Sequence, residues 1–105
     1  MNIIASTQPI FVGEYGRWSE DRLGPKRAQG VLPLRGLLDA GVVVAGGTDC
    51  PASDSGNPLL NFYAAVARKS PYGVPLEWHG LQKITREEAL RIFRCQELDI
   101  APNLQ

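Results

Sequence analysis

The sequence predicts an α/β fold built from two parallel βα units, (βα)2, with additional helices. Three observations carry this. NIIASTQ at 2–8 and VVVA at 42–45 read as strands, rich in β-branched and apolar residues and bounded by Pro or Gly. The stretch between them carries helical signals, giving the crossover that parallel neighbours require. A further helix pattern follows the second strand, so the order strand-then-helix repeats.

Taken in order, the first strand covers 2–8 and stops at Pro9, which has no N–H to offer a ladder. Phe11 to Trp18 holds two glycines and three aromatics and reads as a loop with packing of its own. Ser19, with Glu20 and Asp21 behind it, reads as the cap of a helical turn. Pro25 suits the first position of a short helix running to about Gly30. Leu34, Leu37 and Leu38 lie at i, i+3 and i+4, one apolar helix face over 33–40, and Gly41 stands where a C-terminal glycine belongs. The second strand, Val42 to Ala45, starts at once. Its apolar run predicts burial on both faces, which two strands alone do not supply. Asn57 and Pro58 cap and open an amphipathic helix over 58–69, with Leu59, Phe62, Tyr63, Val66 and Ala67 at helical spacing. Arg68 and Lys69 fall in its last turn, where cations suit the helix dipole. Thr85 and Glu88 form a T-x-x-E capping box that opens a final helix through Ile92 or Phe93.

Composition bounds the function. The 105 residues are enough for one small domain, and 44% hydrophobic with 21% charged residues is a globular balance. Eleven basic and eleven acidic residues give net charge zero, so there is no electrostatic footprint for nucleic acid or an anionic membrane, and self-association meets no charge repulsion. No stretch approaches a membrane helix, and MNIIASTQPIF has no basic segment or long apolar core, so no signal peptide is expected. A cytoplasmic protein is the expectation, with Cys50 and Cys95 as free thiols. One histidine, His79, and two scattered cysteines supply no structural zinc pattern. His79 reads as a surface or packing residue, and Trp18 and Trp78 as packing aromatics.

The chemistry concentrates at GVVVAGGTDCP, 41–51. In parallel α/β sheets and barrels, ligands bind beyond the carboxyl ends of the strands. Asp49 follows such an end, behind Gly46 and Gly47. Two readings stand: an acid that ligates a metal or moves a proton, or a loop-opening Asp bonded to its own backbone. Gln8, at the end of the first strand, either hydrogen-bonds a substrate in the same site or is a satisfied polar strand end. Asp54 reads as a turn acid.

Seven segments together resemble one known family: ASTQP (5–9), WSEDRLGPKRA (18–28), LLDAGV (37–42), GTDCP (47–51), NPLL (57–60), YAAVAR (63–68) and ITREEAL (84–90). In order and spacing they resemble the metal-dependent amidohydrolases, in the subgroup like imidazolonepropionase and D-aminoacylase, from the seventh barrel strand to the helix after the eighth. The resemblance implies a partial TIM barrel over 1–93, with a divergent tail over 94–105 such as a truncated relative would carry. It implies that Asp49 is the catalytic and metal-ligating carboxylate of the eighth strand, that the parent enzymes use a divalent metal such as zinc, and that they hydrolyse non-peptide C–N or amide bonds. The family's first-strand H-x-H, fourth-strand Lys and fifth- and sixth-strand histidines have no counterpart here. The isolated chain is therefore expected to bind no metal and not to be a competent hydrolase. It is expected to complete its sheet as a homo-oligomer, and to meet an amide-type small molecule only if a site is rebuilt. The alternative is an inactive remnant that self-associates or binds a small ligand.

Overall fold

A computed structural model describes residues 3–50, 56–70 and 78–95, with side chains through residue 93. Strand β1 (Ile4–Thr7) and strand β2 (Val43–Gly46) pair in parallel, with Ile4 opposite Val43 and Thr7 opposite Gly46. Between them lie α1 (Val12–Tyr15), α2 (Ser19–Leu23), α3 (Pro25–Ala28) and α4 (Leu34–Asp39). After β2 come α5 (Pro58–Ala67) and α6 (Arg86–Leu90), the latter running into a π turn over Arg91–Cys95. The arrangement is α/β with two parallel strands and helical crossovers, as the sequence predicts.

The punctuation is local chemistry. Pro9 ends β1 and opens a 3-10 turn over Pro9–Phe11. Gly41 takes φ +76 at the turn from α4 into β2, a left-handed conformation that glycine adopts without strain. Asn57 accepts a hydrogen bond from the Leu59 N–H, and Pro58 fills the first turn of α5. The capping box forms in full: the Glu88 N–H donates to the Thr85 hydroxyl, and the Thr85 N–H donates to the Glu88 carboxylate.

Helices cover one face of the ribbon. Leu34, Val44, Ala65, Ile84, Ala89 and Ile92 form the core, with Ala5, Leu37, Leu38, Phe62, Val66 and Phe93 packed against it. Gly46 is part of this packing: a Cβ there would lie 2.5 Å from a ring carbon of Phe93, so the aromatic ring occupies the missing side chain's place.

Four local expectations are corrected. Within the segment Phe11 to Trp18, expected as loop, residues 11–15 are helical, as the aromatic spacing that stacks Phe11 on Tyr15 is helical spacing. Ser19 does not cap α2: it is buried and its hydroxyl donates to the Tyr15 carbonyl, while Trp18 holds the cap position. Helix α5 ends at Ala67 rather than 69. Strand β2 is buried on one face only: Val44 is 0% exposed and Val43 41%.

Candidate active site

The parallel pairing brings the carboxyl ends of β1 and β2 to the same side of the sheet. Beyond Thr7 and Gly46 the ladder gains one more bond, from the Gly47 N–H to the Thr7 carbonyl at 2.9 Å. That bond sets Gly47 beside the Thr7–Gln8 peptide. Gln8 and Asp49 thus follow neighbouring strands at the end where α/β folds place their sites. Gln8 is half-buried with extended backbone, φ −125 and ψ 90, and its carbonyl accepts from the Phe11 N–H at 3.2 Å.

Asp49 is exposed and has φ +56. A non-glycine residue in the left-handed region is uncommon, and Asp is among the few types enriched there. The Thr48 hydroxyl accepts from the Cys50 N–H at 3.4 Å, tightening the turn around the carboxylate. Cys50 is an exposed free thiol. Asp54 lies outside the described residues.

Asn61 was not among the residues that sequence reasoning selected. It is fully buried on α5, and its Oδ1 accepts from the Ile10 N–H at 2.9 Å. The helix after β2 thereby fixes the turn after β1, which carries Gln8. The available signal was a polar residue on an otherwise apolar helix face, since a buried Asn needs a partner.

Arg68, expected in the last turn of the helix as a cation suited to its dipole, lies one residue past that turn. It is the left-handed cap of α5, 0% exposed, with its side chain turned inward. Its Nε donates to the Trp78 carbonyl at 3.1 Å, Nη1 to the Leu32 carbonyl at 2.8 Å and Nη2 to the Val31 carbonyl at 3.4 Å. The guanidinium lies 5.2 Å from the Trp78 ring. Burial lowers its pKa to about 10, so it stays cationic at neutral pH. Arg68 is a structural clamp between the α5 cap, residues 31–32 and residue 78.

His79 packs on Trp78, ring centroids 4.7 Å apart, with Nε2 3.8 Å from Glu20. Burial lowers its pKa, favouring neutral imidazole. These contacts suit the packing role expected of it. Trp18 is partly exposed, edge-on to Tyr15 and covered by the Arg22 guanidinium at 5.1 Å.

No group of three His, Cys, Asp or Glu among the described residues converges on a point. A catalytic zinc takes three protein ligands, and here one exposed carboxylate stands at the strand ends. The described residues do not fit a metal by themselves. No helix among them is long and apolar enough to cross a membrane.

Comparison with known proteins sets this arrangement in context. The profile of the Amidohydrolase family matches residues 1–96. A protein of Bacillus subtilis (strain 168), described by name as an amidohydrolase, YtcJ, is 38% identical over 72 residues; the match covers 69% of this chain and 13% of that one. Among solved structures, an uncharacterized metal-dependent hydrolase from Pyrococcus furiosus superposes with a TM-score of 0.72 at 24% identity, over 94% of this chain and 19% of the other. That second likeness concerns the fold. The chain spans about an eighth of the Bacillus relative's length and a fifth of the Pyrococcus chain's.

Proposed function

The chain belongs to the amidohydrolase family, and from that premise we propose that it supplies the seventh and eighth strands of a metal-dependent amidohydrolase barrel, with Asp49 as the acid of the site. The observation that supports this most is the position of Asp49: exposed, just past the carboxyl end of a parallel strand, with Gln8 past the end of its neighbour. In a completed site the Asp49 carboxylate would accept the proton of the attacking water and return it to the leaving nitrogen of a C–N bond. Asp49 would also be one of the metal's ligands, the others coming from outside this chain. Gln8 would donate its side-chain amide to a substrate carbonyl. The isolated chain would not hydrolyse amides, because the carboxylate lacks its companion ligands.

The test is a graft. The 72-residue matching region of the Bacillus relative is replaced by the corresponding residues of this chain, and zinc content is measured beside hydrolysis of N-acyl amino acids. The reading expects a zinc-loaded graft, reduced zinc occupancy in the Asp49→Asn graft, and no stoichiometric zinc on the isolated chain. Unchanged zinc occupancy in the Asp49→Asn graft would remove Asp49 from the site.

A further inference from the structure

The turn after β1 is capped from outside its own segment. Pro9–Phe11 is a single 3-10 turn, and Gln8 holds its cap position. The first N–H groups of a helical turn lack acceptors within it, and the side chain at the cap position ordinarily supplies one. Pro9 has no N–H, and the Phe11 N–H is met by the Gln8 carbonyl at 3.2 Å. Ile10 therefore carries the donor that needs a partner. The Gln8 side chain makes no capping bond. The Ile10 N–H donates instead to Asn61 Oδ1 at 2.9 Å, in a buried bond that spans 51 residues of sequence. Asn61 carries a cost of its own, because its Nδ2 is buried with no hydrogen-bond partner among the described residues. An apolar side chain would match the rest of that helix face and avoid this cost. It would also leave the Ile10 N–H unpaired, with the Gln8 side chain at the cap position left to answer it. The place of the turn does not depend on Asn61 alone: Pro9 is fully buried, and a Cβ on Gly13 would lie 2.8 Å from Ser70 Oγ, so the chain just after the turn is closely seated.

We propose that Asn61 is a positioning residue: by capping the turn in place of Gln8, it leaves the Gln8 side-chain amide to the substrate carbonyl. This rests on the site proposed above, and adds to it the residue that decides whether Gln8 serves the substrate or its own turn. Without the Asn61 acceptor, the Gln8 side-chain oxygen folds back onto the Ile10 N–H, and the amide turns away with it. Asn61 touches no substrate. Its effect falls on substrate binding, and passes through Gln8. A bond to the carbonyl that is equal in ground and transition states shows in KM and not in kcat.

The experiment uses a graft carrying residues 1–96 of this chain, the span that the family profile matches, in the Bacillus relative. KM and kcat for an N-acyl amino acid are measured beside zinc content in the parent graft, in Asn61→Ala, Asn61→Asp and Gln8→Ala, and in the Asn61→Ala/Gln8→Ala pair. Asn61→Ala is expected to raise KM about tenfold, the scale of one hydrogen bond, with kcat and zinc content unchanged. Gln8→Ala should do the same, and the pair should be no worse than either alone. Asn61→Asp keeps an acceptor for the Ile10 N–H and should hold KM at the parent value. An Asn61 that only supports the fold would add its effect to that of Gln8→Ala, so a rise of about a hundredfold in the pair would overturn the proposal. So would an unchanged KM in Asn61→Ala, a loss of kcat or zinc in that variant, or an Asn61→Asp graft as impaired as Asn61→Ala. The free chain supplies a second reading by NMR: the Gln8 side-chain amide resonances should shift in Asn61→Ala and return in Asn61→Asp, and resonances that stay in place would also overturn it. A parent graft that loads no zinc or hydrolyses no N-acyl amino acid sinks the proposed function and this proposal with it. A working parent graft in which Asn61 and Gln8 act independently sinks the proposal alone.

Discussion

At the scale of the single residue, Arg68 has the largest consequence for stability. Its guanidinium is buried and satisfied by three backbone carbonyls, Trp78, Leu32 and Val31. Replacing it with Ala takes the side-chain donor from the Trp78 and Val31 carbonyls, leaves the Leu32 carbonyl with only the Leu34 N–H, and opens a cavity beside Trp78. The expected loss is about 3 kcal/mol, since hydrogen bonds to a charged group are individually worth more than neutral ones and buried acceptors are costly to orphan. Arg68→Lys should recover little of it, because an ammonium lacks the planar fork that reaches several carbonyls at once. Urea unfolding of both variants checks this; a full recovery by Lys would show that charge alone matters. The sequence did not disclose the clamp. A cation in the last turn of a helix is satisfied equally by solvent or by an inward turn. The left-handed cap that turns Arg68 inward is set by tertiary contacts with residues 31–32 and 78. The position of Asp49 past a strand end is legible because its signal is local: an apolar strand, two glycines, then an acid. Asn61 was hidden, since its partner is the Ile10 N–H, 51 residues away.

Elements were legible where their ends carry chemistry, and α6 shows it. Thr85 and Glu88 announce its start in the sequence and build the capping box in the structure. What the sequence withheld is that Glu88 also receives both Nη groups of Arg35, a fork from α4 that ties the two helices together. Arg35 first, and then the Thr85 backbone N–H, hold the Glu88 carboxyl down at about 2. The sign follows: the folded state binds its proton less readily than the unfolded chain, whose Glu titrates near 4.5. The stabilisation is complete above that value and is lost as pH falls from about 4.5 towards about 2. Glu88→Gln should flatten that part of the stability-against-pH curve and cost about 1 kcal/mol at neutral pH, the scale of a cap and a part-exposed ion pair. Thr85→Ala should cost a similar amount while keeping the acid-side slope, because the Arg35 fork remains. Thermal unfolding at pH 7 and pH 3 separates the two; a Glu88→Gln protein with the parent's acid sensitivity would assign that sensitivity to other carboxylates. By contrast, the segment from Phe11 reads as loop in the sequence and is helical through Tyr15. Glycine and aromatic content suppressed a helix signal that the anchoring of Ile10 by Asn61 restores.

At the scale of the whole molecule, the alternation along β1 and β2 determines where the fold is firm. The second strand reads as apolar throughout, which predicts burial on both faces, yet the helices reach only the Ala5–Val44 side. The sequence could not show which face would be left bare, because that depends on which way the crossover helices fold back. The consequence is measurable in the free chain. Ala5 and Thr7 direct their N–H groups to β2, while Ile4 and Ser6 direct theirs to the open edge. Amide exchange should therefore alternate along β1, slow at Ala5 and Thr7 and faster at Ile4 and Ser6, by at least an order of magnitude, since exchange follows local hydrogen bonding and burial. The amides of Ala65 and Ala89, on helices packed into the core, should exchange more slowly than any in β1. Heteronuclear NMR on the dilute chain reads this residue by residue. Uniform protection along β1 at low concentration would mean that its outer edge is already covered, and the ribbon would then need no partner to complete it. Alternation that disappears as concentration rises would instead put a second copy on that edge. Persistent alternation would show that the outer edge of β1 stays unpaired in the free chain.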